Sequence, residues 1–171
     1  MALRTVMIFP KFDNIELIDD IRKQYDPLAD VIRPHITIVF PFNMDVTNEE
    51  LSQILEKRLS HIKPFPIEVC GISKCEDRFG NYLFLNLSKG TDDVIKLHDL
   101  LYKNEFAELD VGLQYVPHIT VGKFENENKL NEAYEKMKGF NGKFYCVVDK
   151  ISVEMIGTNE ESIIIIEKRL S

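Results

Sequence analysis

Two short stretches set groups capable of proton chemistry into matching surroundings: Pro34-His35-Ile36-Thr37-Ile38 and Pro117-His118-Ile119-Thr120-Val121. Each places one imidazole and one hydroxyl in an otherwise apolar, β-branched run. Alternation along a strand puts residues i and i+2 on one face, so His35 and Thr37 point one way and Ile36, Ile38 and Phe40 the other. His118 and Thr120 likewise share a face, opposed by Ile119 and Val121. Pro34 and Pro117 lack a backbone donor, which suits the first position of a strand. An imidazole titrates near pH ~6.5, so one of a pair can accept a proton while the other gives one. On opposite sides of a phosphorus atom, such a pair serves in-line phosphoryl transfer. One takes the proton of the attacking oxygen and the other protonates the leaving oxygen. The threonine hydroxyls can donate to the non-bridging oxygens as charge builds there. No metal is required, and two imidazoles without a carboxylate make a poor shell for zinc.

A single histidine in an apolar strand is ordinarily a hydrogen-bonded core residue, and threonine is at home in strands. Repetition changes that reading, because burying two imidazoles and two hydroxyls without a use costs hydrogen-bonding free energy twice. His35 and His118 are therefore the candidate catalytic residues, and Thr37 and Thr120 the candidate phosphate-binding residues. No metal ligand and no cofactor is implied. Arg33 and Lys123 read as solvated surface charges, with Lys123 directed away from His118. His98, on the apolar face of a helix beside Val94 and Leu101, reads as structural. So does His61, near a helix C-terminus where it opposes the dipole.

These motifs must be held by strands, and the surrounding pattern supplies them. Residues 3–9 form an apolar run, and Asp13 with Glu16 resembles a capping box opening a helix over 13–25. The first motif strand covers 35–40 and stops at Pro41. Thr47-Asn48-Glu49-Glu50 caps a second helix with Leu51, Ile54, Leu55 and Leu59 on one face. Short strands follow at 65–71, 72–77 and, after the Gly80-Asn81 turn, 82–88. A third helix spans 92–104, the second motif strand 118–124, and a fourth helix 127–138. Strands at 143–149, 150–157 and 162–169 complete the pattern. Helix, motif strand, helix and strands thus appear once over about 13–88 and again over about 92–169. Two related α+β lobes within a single bilobal domain, 1–171, fit this order, and no Gly- or Pro-rich linker divides them.

Composition narrows the partners. The chain is 44% hydrophobic and 10% aromatic, in the range of a globular protein. No apolar run approaches the roughly 20 residues of a membrane span, and residues 3–9 read as a first strand rather than a signal peptide. Cys70, Cys75 and Cys146 lack metal spacing, and free thiols in a soluble cytoplasmic protein are the expectation. A net charge of −7 argues against extended nucleic acid, whose phosphates ordinarily demand a basic footprint. Small phosphorylated or nucleotide substrates and RNA ends remain as candidate partners.

The paired motifs, their spacing and the flanking Pro-His-Ile-Thr resemble the two-histidine (2H) phosphoesterase superfamily, which includes bacterial 2′-5′ RNA ligase-like proteins and cyclic nucleotide phosphodiesterases. The resemblance spans the whole chain. It implies an α+β fold of two antiparallel sheets with flanking helices around a central cleft, with His35, Thr37, His118 and Thr120 on its floor. It further implies metal-independent opening of a 2′,3′-cyclic phosphate or related phosphodiester, or joining of 2′-5′ ends. The acidic balance motivates an alternative, a non-catalytic nucleotide or phosphate binder using the same pocket. Val116 stands where the first motif has Arg33, and Gly122 where it has Val39, so the site departs from symmetry.

Overall fold

The computed structural model describes residues 2–171. In chain order the elements are β1 (Arg4–Ile8), α1 (Glu16–Tyr25), β2 (Ile36–Phe42), α2 (Asn48–Leu59), β3 (Phe65–Asp77), β4 (Gly80–Lys89) and α3 (Thr91–Tyr102). After a 3₁₀ turn at Ala107–Leu109 come β5 (His118–Phe124), α4 (Glu127–Met137), β6 (Phe144–Val148), β7 (Lys150–Ile156) and β8 (Ser162–Arg169). The capping box that opens α2 forms as its sequence demands, with Thr47 N–H donating to Glu50 Oε2 at 2.7 Å and Glu50 N–H to Thr47 Oγ1 at 3.1 Å. The one read at Asp13 does not: α1 begins at Glu16 without a side-chain cap. Leu51, Leu55 and Leu59 are buried together, and each cut to alanine costs about 2–5 kcal/mol.

The two expected sheets are one. Eight antiparallel strands run in the order β6-β3-β4-β5-β2-β1-β7-β8. The join lies between the two motif strands, where β5 and β2 meet through a single pair, Ile36 with Ile119. Four strands stand on either side of it. Alternation read along separate strands carries no information about which strand from another part of the chain will lie alongside, so the sequence does not reveal this bridge. The sequence also divides β3 in two, whereas the strand continues through Gly71 at φ 96, a left-handed value that favours glycine. A register shift between Val69 and Ile72 accompanies it.

Both motif strands carry a β-bulge directly after their threonine. Val6 and Met7 of β1 face Val39 and Thr37, so β2 gains a residue at Ile38. Leu83 and Phe84 of β4 face Gly122 and Thr120, so β5 gains one at Val121. The extra residue puts Ile38 with Val39, and Val121 with Gly122, on the buried side. Beyond the bulge the alternation is inverted. Gly122 consequently faces α1, where an added Cβ would lie 3.0 Å from the Cβ of Tyr25. Helices α1 and α4 pack on the β3–β5 side, α2 on β8 and α3 on β2.

Pro41 does not end β2, which runs to Phe42. Past Thr37 the strand has no ladder partner on the β5 side, so a missing N–H there breaks no pairing. The neighbouring Phe40 N–H instead donates to the Tyr102 hydroxyl at 3.3 Å.

Candidate active site

The Ile36–Ile119 bridge fixes the arrangement of the motifs. In an antiparallel pair with these residues opposite, Thr37 falls beside His118 and Thr120 beside His35. Ile36 and Ile119 point into the core, both fully buried. The four polar side chains therefore share the other face, each histidine next to the threonine of the other motif. Cβ atoms of such opposed residues lie about 4.5–5.5 Å apart.

The two imidazoles are held alike. Nδ1 of His35 is 2.8 Å from the Arg33 carbonyl, and Nδ1 of His118 is 2.7 Å from the Val116 carbonyl. A carbonyl only accepts, so Nδ1 carries the proton and Nε2 keeps its lone pair. Burial holds the His35 pKa below the ordinary imidazole value, with the nearby Arg22 cation adding to the effect and the Arg33 bond and Asp26 opposing it. Burial likewise pushes His118 down to about 4, the Val116 bond opposes this, and the charge of His35 contributes to the lowering. The two rings are thus electrostatically within reach of each other. At neutral pH both are uncharged bases, and an anion placed between them favours a proton on one.

Thr37, His118 and Thr120 line a cavity of about 880 Å³. His35 is not among its lining residues. Its ring stands 6.1 Å from that of Phe9, over which the Arg33 guanidinium also lies at 4.3 Å. Two ladders of rings form the walls. Tyr82, Phe84 and His118 stack in succession, with centroids 5.9 and 3.5 Å apart. Tyr102, His98 and Tyr115 stack at 4.3 and 3.9 Å. The Tyr115 hydroxyl donates to the Thr37 carbonyl at 2.8 Å, tying the approach to the second motif to the backbone of the first. Burial raises the pKa of Tyr115 well above the phenol range, so this hydroxyl stays protonated.

Several residues differ from their sequence reading, for traceable reasons. Phe40 lines the cavity instead of opposing Thr37, and Lys123 pairs across from Tyr82 with its Nζ 6.0 Å from that ring, on the His118 side. The bulges reverse both. His98 keeps its structural reading, stacked between Tyr102 and Tyr115 on the cavity wall. Sequence reasoning misses Tyr115, Phe84 and Asn86. The alternation Tyr82, Phe84, Asn86 opposite buried Leu83 and Leu85 is the available signal for the last two. Arg33 and His61 are not buried, and the three cysteines are unpaired. Among the described residues no three His, Cys, Asp or Glu side chains gather as a metal shell, and no helix is long and apolar enough to cross a membrane.

A fold of this topology with two opposed His-x-Thr strands is a recognisable class, and residues 10–157 match the 2′-5′ RNA ligase superfamily. The chain belongs to that family. It is 27% identical over 146 residues to a Geobacillus kaustophilus protein named "Putative phosphoesterase GK0864", a match covering 85% of this chain and 83% of that one. A Halalkalibacterium halodurans protein, "Putative phosphoesterase BH1439", is 27% identical over 155 residues, 86% of this chain and 85% of its own. The solved structure of TT0787 from Thermus thermophilus superposes with a TM-score of 0.69 at 10% identity, covering 98% of this chain and 97% of that one. Escherichia coli LigT complexed with 3′-AMP gives 0.64 at 14% identity over 99% and 98%. These likenesses support a phosphoesterase of the 2H superfamily on a mixed α/β fold.

Proposed function

We propose that this protein opens a 2′,3′-cyclic phosphate or a related cyclic or 2′-5′ phosphodiester by paired-histidine acid–base catalysis without a metal ion. One observation carries the reading: the Ile36–Ile119 register sets each histidine beside the other motif's threonine on a single face. One Nε2 takes the proton of the attacking oxygen. The other, protonated once the phosphate anion is bound between the rings, gives its proton to the leaving oxygen. Thr37 and Thr120 donate to the non-bridging oxygens where charge accumulates. Neither half of the chain, 13–88 or 92–169, holds a complete set, so the reading takes residues 1–171 as one working unit.

The test is hydrolysis of nucleoside 2′,3′-cyclic phosphates with a chelator present, for wild type and His118→Ala. The variant should lose about 10²–10⁴-fold in kcat. Equal rates, or activity abolished by the chelator, overturn the reading. A binder without turnover would keep the same pocket; the phosphoesterase names of the relatives favour turnover.

A further inference from the structure

The two histidines have matched partners at Nδ1 but unmatched neighbours across the sheet. On the β4 side of His118 stands Asn86, directly opposite it, which places their Cβ atoms about 4.5–5.5 Å apart. The corresponding neighbour of His35 is Phe9, one residue past the Ile8–Ile36 pair of β1 and β2, with its ring 6.1 Å away. A carboxamide accompanies one imidazole and a phenyl ring the other. Asn86 lines the cavity together with Thr37, His118 and Thr120, and its amide is held from behind. Nδ2–H donates to Ser73 Oγ at 2.9 Å, and the Ser73 hydroxyl lies 3.2 Å from Oδ1. A carboxamide has two N–H groups. Among the described residues Ser73 is the one partner of this amide, so its second N–H is left for whatever fills the cavity. A donor fixed on a strand beside a proton-carrying ring suits an oxygen on which charge develops, because nothing has to reorganise as the charge appears.

Which oxygen that is follows from the two sides of the site. In-line displacement sets the attacking and leaving oxygens on opposite sides of phosphorus. The leaving oxygen carries the organic part of the ester and needs room, whereas an attacking water needs little. His118 lines the cavity of about 880 Å³, while His35 stands outside that lining, beside Phe9 and Arg33. We infer that Asn86 is a further substrate-binding residue of this site, donating its free N–H to the ester oxygen that leaves as His118 gives that oxygen its proton. Water attacks from the His35 side, and the new P–O bond forms as His35 Nε2 takes a proton from it. The electron pair of the breaking P–O bond stays on the leaving oxygen, which His118 Nε2 protonates. This assignment rests on the phosphodiester reading above.

A change of leaving atom tests it. Turnover is measured on a nucleoside 2′,3′-cyclic phosphate and on its analogue with sulfur in place of the leaving bridging oxygen, since a thiolate departs without a proton or a hydrogen bond. On the oxygen ester Asn86→Ala should lower kcat about 10–10²-fold with KM little changed, as for a bond made mainly in the transition state. On the sulfur ester that loss should largely vanish. Ser73→Ala, which leaves the amide in place but unanchored, should show the same pattern at smaller amplitude. His118→Ala should likewise recover on the sulfur ester, and His35→Ala should not. Equal losses on both esters would give Asn86 a merely structural role and overturn the inference, as would unchanged turnover of the oxygen ester. Recovery of His35→Ala in place of His118→Ala overturns the direction, and the inference with it. If the wild-type protein opens neither ester, the phosphodiester reading itself falls and takes the inference down; an active wild type with equal losses sinks the inference alone.

Discussion

The two sides of the sheet offer the same face to very different surroundings. On the β3–β5 side, Tyr82, Phe84 and Asn86 of β4 and Ser73, Cys75 and Asp77 of β3 look into the cavity. On the β1–β7 side the corresponding face carries Thr5 and Met7 beside Glu154 and Ser152, all buried. There residues 29–34 lie against Ser162 and Ile164 of β8, with Ser162 N–H donating to the Val31 carbonyl at 3.3 Å. One side is open and lined by rings; the other is roofed. The motifs supply a matched pair of histidines, and the unequal roofs decide from which side a substrate can reach them.

Four experiments bear on that contrast, beginning with the largest effect. His35→Ala and His118→Ala should each lower kcat by about 10²–10⁴-fold, and the double variant should be little worse than either, as the proposed acid–base pair requires. Near-wild-type turnover in either single variant would break the equivalence of the two motifs.

The pH profile comes next. Both imidazoles are held below their ordinary value, His118 to about 4, so the kcat/KM optimum of the free enzyme should fall below pH ~6.5 and decline toward pH 8. Folding then favours the neutral rings: their contribution to stability is complete above the unfolded pKa near ~6.5 and fades as pH drops toward about 4. A bell centred above pH 7 contradicts this.

Arg22 tests the roofed side. It is 1% exposed, paired with Asp26 at 2.8 Å, and its Nη1–H donates to the Ile32 carbonyl at 2.7 Å. The adjoining Arg33 carbonyl is the acceptor that orients His35. Arg22→Lys keeps the charge but loses the fork, and should lower kcat several-fold with KM little changed. An unchanged kcat would show that the loop orients His35 without it.

The smallest effect concerns Glu154. Among the described residues its Oε2 is buried without a partner, and so is Oγ1 of the facing Thr5. Burial raises the carboxyl pKa, with Ser162 partly opposing. The folded state therefore binds this proton more tightly than the unfolded chain. The associated stability is full below the unfolded pKa and is lost as pH rises through the folded one. Glu154→Gln should raise Tm by about 2–4 °C at pH 8 and change it little at pH 4, with activity untouched. A Tm lowered at pH 8 would mean that the carboxylate has a use.

Much of this architecture is legible in the order of residues. Thr47 with Glu50, and Leu51, Leu55 and Leu59 at helical spacing, specify α2 without any help from the rest of the chain. The motif strands and their histidines are equally plain. What stays hidden is what depends on partners. A bulge is one residue inserted against a neighbouring strand, so nothing along Ile36 to Phe40 announces that Phe40 changes sides. Tyr115 takes its meaning from the Thr37 carbonyl, and Arg22 from carbonyls that approach only once the 26–34 loop folds back.

The lone Ile36–Ile119 contact has a mechanical side. The sheet joins its two four-stranded halves through one backbone pair, and the seam is braced by α1 on β5, α3 on β2 and the Tyr115 bond to the Thr37 carbonyl. His35, Thr37, His118 and Thr120 are its immediate neighbours. At the rim, beside Phe79 of the β3–β4 turn, Arg78 Nη2 donates to the Val111 carbonyl at 2.7 Å. The spacing of the four side chains is therefore set at the seam and not at the rim.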